Sequence, residues 1–216
     1  MRKTPLVENE YYHIFNRGVD KRTVFLCEDD FQRFLKSMVE FNVIKPIGSI
    51  YENSFVKQSQ QLGHSMSKLR KNRPLIEFIA YCLNPNHYHF IVRQTAERGI
   101  ERFMQRIGNG YTKYFNERHK RSGVLFQGGF KSVHVESNEQ LLHLSIYVNL
   151  NYKVHRLGHR MSKSSWEEYV GIPTVRLCNA SLLKTQFGNM KEYEKTARET
   201  IGVIRERRDM EELLLE

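Results

Sequence analysis

Two histidines separated by one residue, His87-Tyr88-His89, are the first feature of this chain with chemical potential. In a β-strand alternate side chains leave opposite faces, so both imidazoles share one face. Tyr88, Phe90 and Val92 take the other, which suits a core. Two neutral imidazoles side by side can hold a divalent cation. An HxH pair alone equally describes two surface histidines. A second constellation surrounds Tyr147, with His143 four residues before it and Asn151 four residues after. On a helix these share a face. Leu141, Leu144 and Val148 anchor the adjacent face in a core. A phenol one turn from an amide oxygen gains meaning if a metal sits between this helix and the HxH strand. Read alone, Tyr147 is a packed ring and Asn151 a helix C-cap.

The elements that must position these groups follow from periodicity. Glu10 to Arg17 is rich in β-formers and ends at Gly18, a strand and turn. From Glu28, Phe31, Phe34, Leu35, Met38 and Phe41 recur at helical spacing behind three acidic residues. Pro74–Asn84 and His87–Gln94 flank the turn Pro85-Asn86 and read as a β-hairpin. Arg98–His119 carries the stripe Ile100, Phe103, Met104, Ile107, Tyr111, Tyr114 and Phe115 and is the clearest helix. Phe130–Glu136 reads as a strand. Ser137 or Asn138 caps a helix running to about Tyr152. The order β-α-β-β-α-β predicts an α+β fold, a ferredoxin-like (split βαβ) antiparallel sheet with helices on one face, plus the helix that carries Tyr147. Two further helices, around SSWEEYVG and from Met190 onward, predict a small helical C-terminal extension. The expected division is a sheet domain over 1–155 and the extension over 156–216.

The 216 residues hold 34 Lys and Arg against 24 Asp and Glu, a net charge of +10. Hydrophobic residues make up 40% of the chain, which argues against overall disorder. The excess charge is concentrated. Lys45–Arg73, which reads as an insertion loop, has six basic residues against one acidic. Arg98–Lys131 has eight against two, and its charge is expected beside the HxH strand. A basic domain points to a polyanion, and nucleic acid comes first. No apolar run has transmembrane length, so no membrane association is expected. The first residues lack the apolar segment of a signal peptide. Cys27, Cys82 and Cys178 form neither a disulfide framework nor a metal knuckle, which fits a reducing cytoplasm.

Several segments carry a family resemblance in order: YYHIFNRGVDKRTVF, YCLNPNHYHFIV, ERFMQRIGNGYTKYFNERHKRSGVLFQGGFKSVHVES and LLHLSIYVNLN. Together they resemble the single-tyrosine HUH transposases (IS200-like), and within them the REP-associated tyrosine transposases. The resemblance covers about residues 10–155, and the tail is similar to the C-terminal extension of the same relatives. It implies that Tyr147 is the nucleophile and that His87, His89 and Asn151 ligate a divalent metal, Mg²⁺ or Mn²⁺. A tyrosine phenol has a reference pKa of about 10 and is a weak nucleophile near neutral pH. The implied product is a 5′-phosphotyrosine link with a free 3′-hydroxyl on the other strand piece. Two departures from the family pattern stand out. Tyr152 occupies the place where many relatives have Pro after the Asn, and the basic insertion at 45–73 is absent from shorter relatives.

The resemblance also implies the partner, single-stranded DNA bearing a hairpin, REP-like or from an element end. Candidate DNA contacts are Asn16, Arg17, Lys21 and Arg22 in and after the NRG turn. Arg102, Arg106, Lys113, Arg118 and Arg121 decorate the long helix and its exit. Gln127, Phe130 and Lys131 lie in FQGGFKS. The expected setting is the cytoplasm, in association with the nucleoid, as a monomer or homodimer. A competing reading is a domesticated relative that binds hairpins with weak cleavage. Another is an RNA-recognition module on the same sheet, but its usual aromatic signature is absent.

Overall fold

The computed structural model describes residues 5–54, 74–158, 161–171 and 176–213, the last eight of these as backbone. Strand β1 (Tyr11–Arg17), helix α1 (Glu28–Glu40), strands β2 (Ile76–Asn84) and β3 (His87–Gln94), helix α2 (Gly99–Arg118) and strand β4 (Lys131–His134) follow one another in the expected order. Among the described residues the strands pair antiparallel. The sheet order is β4-β1-β3-β2-β5, the ferredoxin-like order extended by the edge strand β5 (Lys163–Ser164). Sequence periodicity did not reveal β5, because two residues carry no alternation.

The sheet packs helices on both faces. Tyr12, Ile14, Tyr88, Phe90 and Val92 meet Phe31, Phe34 and Met38 of α1 and Ile100, Phe103, Ile107, Tyr111 and Phe115 of α2. The helical stripes read from the sequence supply this first core. Asp30 accepts from the backbone N–H groups of Leu26 and Cys27 at 2.8 and 3.3 Å, which fixes the start of α1. Gly110 admits the Phe41 ring, since a Cβ there would lie 2.7 Å from it.

At Gly99, the first residue of α2, a Cβ would lie 2.1 Å from the Leu75 carbonyl oxygen. Backbone cannot yield as a flexible side chain does. Gly99→Ala is therefore expected to cost about 1–3 kcal/mol, read as a lower urea midpoint at unchanged slope.

The opposite face carries α3 (Asn138–Asn149) and α4 (Asn151–Val154), then α5 (Trp166–Val170), α6 (Ser181–Phe187) and α7 (Met190–Leu213). Ser137 caps α3 by accepting from Gln140 N at 3.1 Å. The sequence predicts a helix through Tyr152. Instead Leu150, at φ −110° and ψ 14°, interrupts it, and Asn151 starts a separate turn.

Ile79, Cys82 and Ile91 meet Leu141, Ile146, Val148, Trp166, Tyr169, Leu183, Tyr193 and Ala197 in a second core. A polar chain runs through it. Asn149 Nδ2 donates to Tyr193 Oη at 2.8 Å, and Asn149 Oδ1 accepts from Ser165 Oγ. Ser165 Oγ accepts from Tyr81 N at 2.8 Å, and Tyr169 Oη donates to the Ile79 carbonyl. The extension and the helix bearing Tyr147 thus share one interior.

Within the expected insertion, residues 50–54 form a helical turn, and 55–73 lie outside the described residues. Among the described residues, no helix is long and apolar enough to cross a membrane.

Candidate active site

Strand β3 projects His87 and His89 toward the second core's face, beyond Ile91, while Tyr88 and Phe90 enter the first core. The alternation is the one the sequence implies. The two imidazole rings stand nearly perpendicular, 5.2 Å apart. Tyr147 of α3 brings its ring to 5.9 Å from that of His89, at 81°. Asn151, fully buried, directs Oδ1 to within 3.2 Å of His87 Nε2. His87, His89, Tyr147 and Asn151 are therefore together at one end of the sheet. His143, on the same helix as Tyr147, is exposed.

Proton placement at His87 follows from its neighbours. Asn86 Nδ2 donates to the Lys21 carbonyl at 3.2 Å, which turns Asn86 Oδ1 toward His87 Nδ1, 2.6 Å away. His87 Nδ1 therefore carries the proton and Nε2 is bare. Asn84 Nδ2 donates toward Nε2 at 2.9 Å and to Asn151 Oδ1 at 2.6 Å. A bare imidazole nitrogen and an amide oxygen thus converge on one point, both as acceptors. Among the described residues, the buried Asn151 Nδ2 atom has no hydrogen-bond partner. This donor set, neutral imidazole nitrogen and amide oxygen, fits a divalent cation. Among the described residues no three His, Cys, Asp or Glu side chains form a metal group.

Three further residues line the site that the sequence reading did not single out. Asn84, fully buried, bridges His87 and Asn151. His13 on β1 places Nε2 2.9 Å from His89 Nδ1. His155, at the end of α4, brings its ring to 4.9 Å from His87. Burial lowers the His13 pKa to about 4. Burial, and then the neighbouring imidazoles, push His89 well below the usual histidine range. Both rings stay neutral near pH 7, as metal-ligating imidazoles must. Strand alternation would have put His13 on the face of Phe15, but only the β1–β3 register brings it to His89.

The candidate DNA contacts divide by face. Arg17 is the register partner of His87, and Lys131 is the partner of Phe15, with Nζ 6.0 Å from the Phe15 ring. Both therefore lie on the histidine face. Gln127 accepts from Arg17 Nε and donates its backbone N–H to the Arg17 carbonyl. Asn16 is buried and donates to the Gly128 carbonyl at 3.2 Å, holding the same loop. Lys21 and Arg22 are exposed on the turn beyond β1.

Helix α2 lies across the sheet from the histidines, which corrects the expectation that its charge sits beside them. The sequence shows that the helix is basic but not which face of the sheet it covers. Arg102 and Arg106 donate to carbonyls of residues 41–44. Arg118 pairs with Asp29 at 2.7 Å, and Arg121 binds Asn116 and the Val124 carbonyl. Exposed Lys113 and half-buried Phe130 border a groove of about 590 Å³ that also touches Asn16 and Tyr88.

With this geometry in view, residues 49–151 match the family model for IS200-like transposases. That segment is similar to the IS200-like transposases and makes up just under half of the chain. It contains His87, His89, Tyr147 and Asn151. The fold also matches a solved structure of a REP-associated tyrosine transposase bound to a REP hairpin, with a TM-score of 0.52 at 13% identity. The match covers 84% of this chain and 95% of that one. No curated protein matches the chain.

Proposed function

We propose that this chain is a metal-dependent strand transferase that cleaves and rejoins single-stranded, hairpin-bearing DNA through Tyr147. The observation that carries the reading is the convergence of two imidazoles, an amide oxygen and a phenol on one face of the sheet. His87, His89 and Asn151 would hold Mg²⁺ or Mn²⁺, which supplies Lewis-acid polarisation of the scissile phosphate. Tyr147 Oη attacks phosphorus, the bond to the 3′-oxygen breaks, and a 5′-phosphotyrosine forms. The phenolic proton leaves and the departing 3′-oxygen gains one. The reverse attack by a 3′-hydroxyl rejoins strands without ATP, because the ester energy is kept in the intermediate. Arg17 and Lys131 would steady the backbone on the same face.

The test uses the full chain and a labelled DNA hairpin from its own genomic flanks, with Mn²⁺, on a denaturing gel. The expected result is a covalent protein–DNA adduct that EDTA suppresses. Hairpin binding without any adduct would instead favour a binding protein that has lost cleavage. His87→Ala with His89→Ala is expected to remove the metal-dependent adduct and leave most hairpin affinity. An equal loss of binding would make the histidines structural.

A further inference from the structure

We propose that His13 is a positioning residue that sets which nitrogen of His89 is free to hold a cation. The inference rests on the reading of His89 as a ligand. His13 Nε2 and His89 Nδ1 are 2.9 Å apart, and the two rings stack at 5.1 Å with planes inclined by 19°. Between two neutral imidazoles this contact holds a single proton. If the proton sits on His89 Nδ1, His89 donates, and its Nε2 presents a lone pair. If it sits on His13 Nε2, His89 accepts, and its Nε2 carries a hydrogen that blocks ligation. His13 selects the first arrangement by offering a bare nitrogen as acceptor.

The strand register makes the selection possible. Phe15 pairs with His89 and His13 with Ile91, so His13 stands one diagonal step from His89 on the same face. The Phe15 ring lies 4.9 Å from His13 and 5.8 Å from His89, so it packs against both rings. His87 has the parallel arrangement, with Asn86 Oδ1 as its acceptor. Each of the two histidines thus has its own orienting partner, one from β1 and one from the hairpin turn. Around metal-bound histidines a carboxylate or carbonyl commonly fills this role, and its loss weakens metal binding. Here an imidazole fills it.

Two measurements on the full chain test the proposal. The first is long-range ¹H–¹⁵N NMR of the imidazoles in metal-free protein, with His89 assigned by His89→Gln. The wild type is expected to carry its His89 proton on Nδ1. His13→Phe removes the acceptor and should move the proton to Nε2. His13→Gln supplies an amide oxygen and should return it. The second is Mn²⁺ titration by EPR. His13→Phe should bind about 10–100-fold more weakly, and His13→Gln should recover most of the loss. Hairpin affinity should be unchanged in both variants.

A His89 proton found on Nε2 in the wild type overturns the proposal. So does wild-type Mn²⁺ affinity in a folded His13→Phe. If the wild type holds no Mn²⁺ at all, the metal reading fails, while the NMR result still decides whether His13 orients His89. Should His13→Phe not fold, the wild-type and His13→Gln tautomers decide.

Discussion

Tyr147→Phe is expected to abolish the covalent DNA adduct and lower strand cleavage by at least about 10⁴-fold, the scale on which removing a covalent nucleophile acts. The substitution keeps the ring that meets His89 at 5.9 Å and deletes only the oxygen. Folding and hairpin affinity should therefore match the wild type. Tyr152, Tyr88 and Tyr111 are not placed to take over. Tyr152 is buried in the second core, on α4 beyond the break at Leu150. Tyr88 faces the first core, and Tyr111 donates its hydroxyl to the Val24 carbonyl at 2.7 Å on the far side of the sheet. Adduct that persists in Tyr147→Phe at more than a few per cent would sink the nucleophile assignment. Tryptic mapping of the residual adduct would then identify the tyrosine used.

Tyr193→Ala is expected to be the most destabilising single change in the extension, by about 3–5 kcal/mol. Its ring is fully buried among Trp166, Tyr169 and Phe187, with centroids 6.0, 5.4 and 5.1 Å away. Its hydroxyl accepts from Asn149 and lies 3.3 Å from Ser145 Oγ, so the substitution also strands polar groups on the helix bearing Tyr147. Burial pushes this phenol up to about 12, so it remains a neutral hydrogen-bonding group across the working pH range. Tyr193→Phe keeps the ring and should cost about 1–3 kcal/mol, the penalty of leaving a buried donor unpaired. Urea unfolding of both variants separates the two contributions. A loss below about 1 kcal/mol for Tyr193→Ala would mean that the extension does not support the helix bearing Tyr147.

The sequence carried the sheet and the helices of its first face because their signals are local. Phe31, Phe34 and Met38 repeat at helical spacing, and Tyr88, Phe90 and Val92 alternate. The HxH pair and the Tyr147–Asn151 spacing were legible for the same reason. His13, Asn84 and Asn86 were not. Their contacts with the histidines depend on strand register and turn geometry, and no short window of sequence encodes either. The placement of α2 was misread because periodicity shows which side of a helix is buried, but not which face of the sheet it covers. The break at Leu150 was also hidden, since Tyr147, Val148 and Asn151 keep helical spacing across it. The second core went unrecognised because Trp166, Leu183 and Tyr193 are scattered over short helices that only packing unites.

The Lys21 carbonyl that orients Asn86, and through it His87, is a main-chain atom that every residue type provides. Asp20 and Lys21 hold left-handed backbone, with φ of 52° and 57°, and the turn closes from Lys21 N to the Gly18 carbonyl at 3.1 Å. At Gly18 a Cβ would lie 2.2 Å from the Arg22 carbonyl oxygen. For the contact with Asn86, asparagine or glycine at position 21 would therefore serve the histidine as well as lysine does. Position 18 has no such freedom. Over evolutionary time the proton arrangement of the site would be inherited through the shape of a turn, while the side chain at position 21 changed.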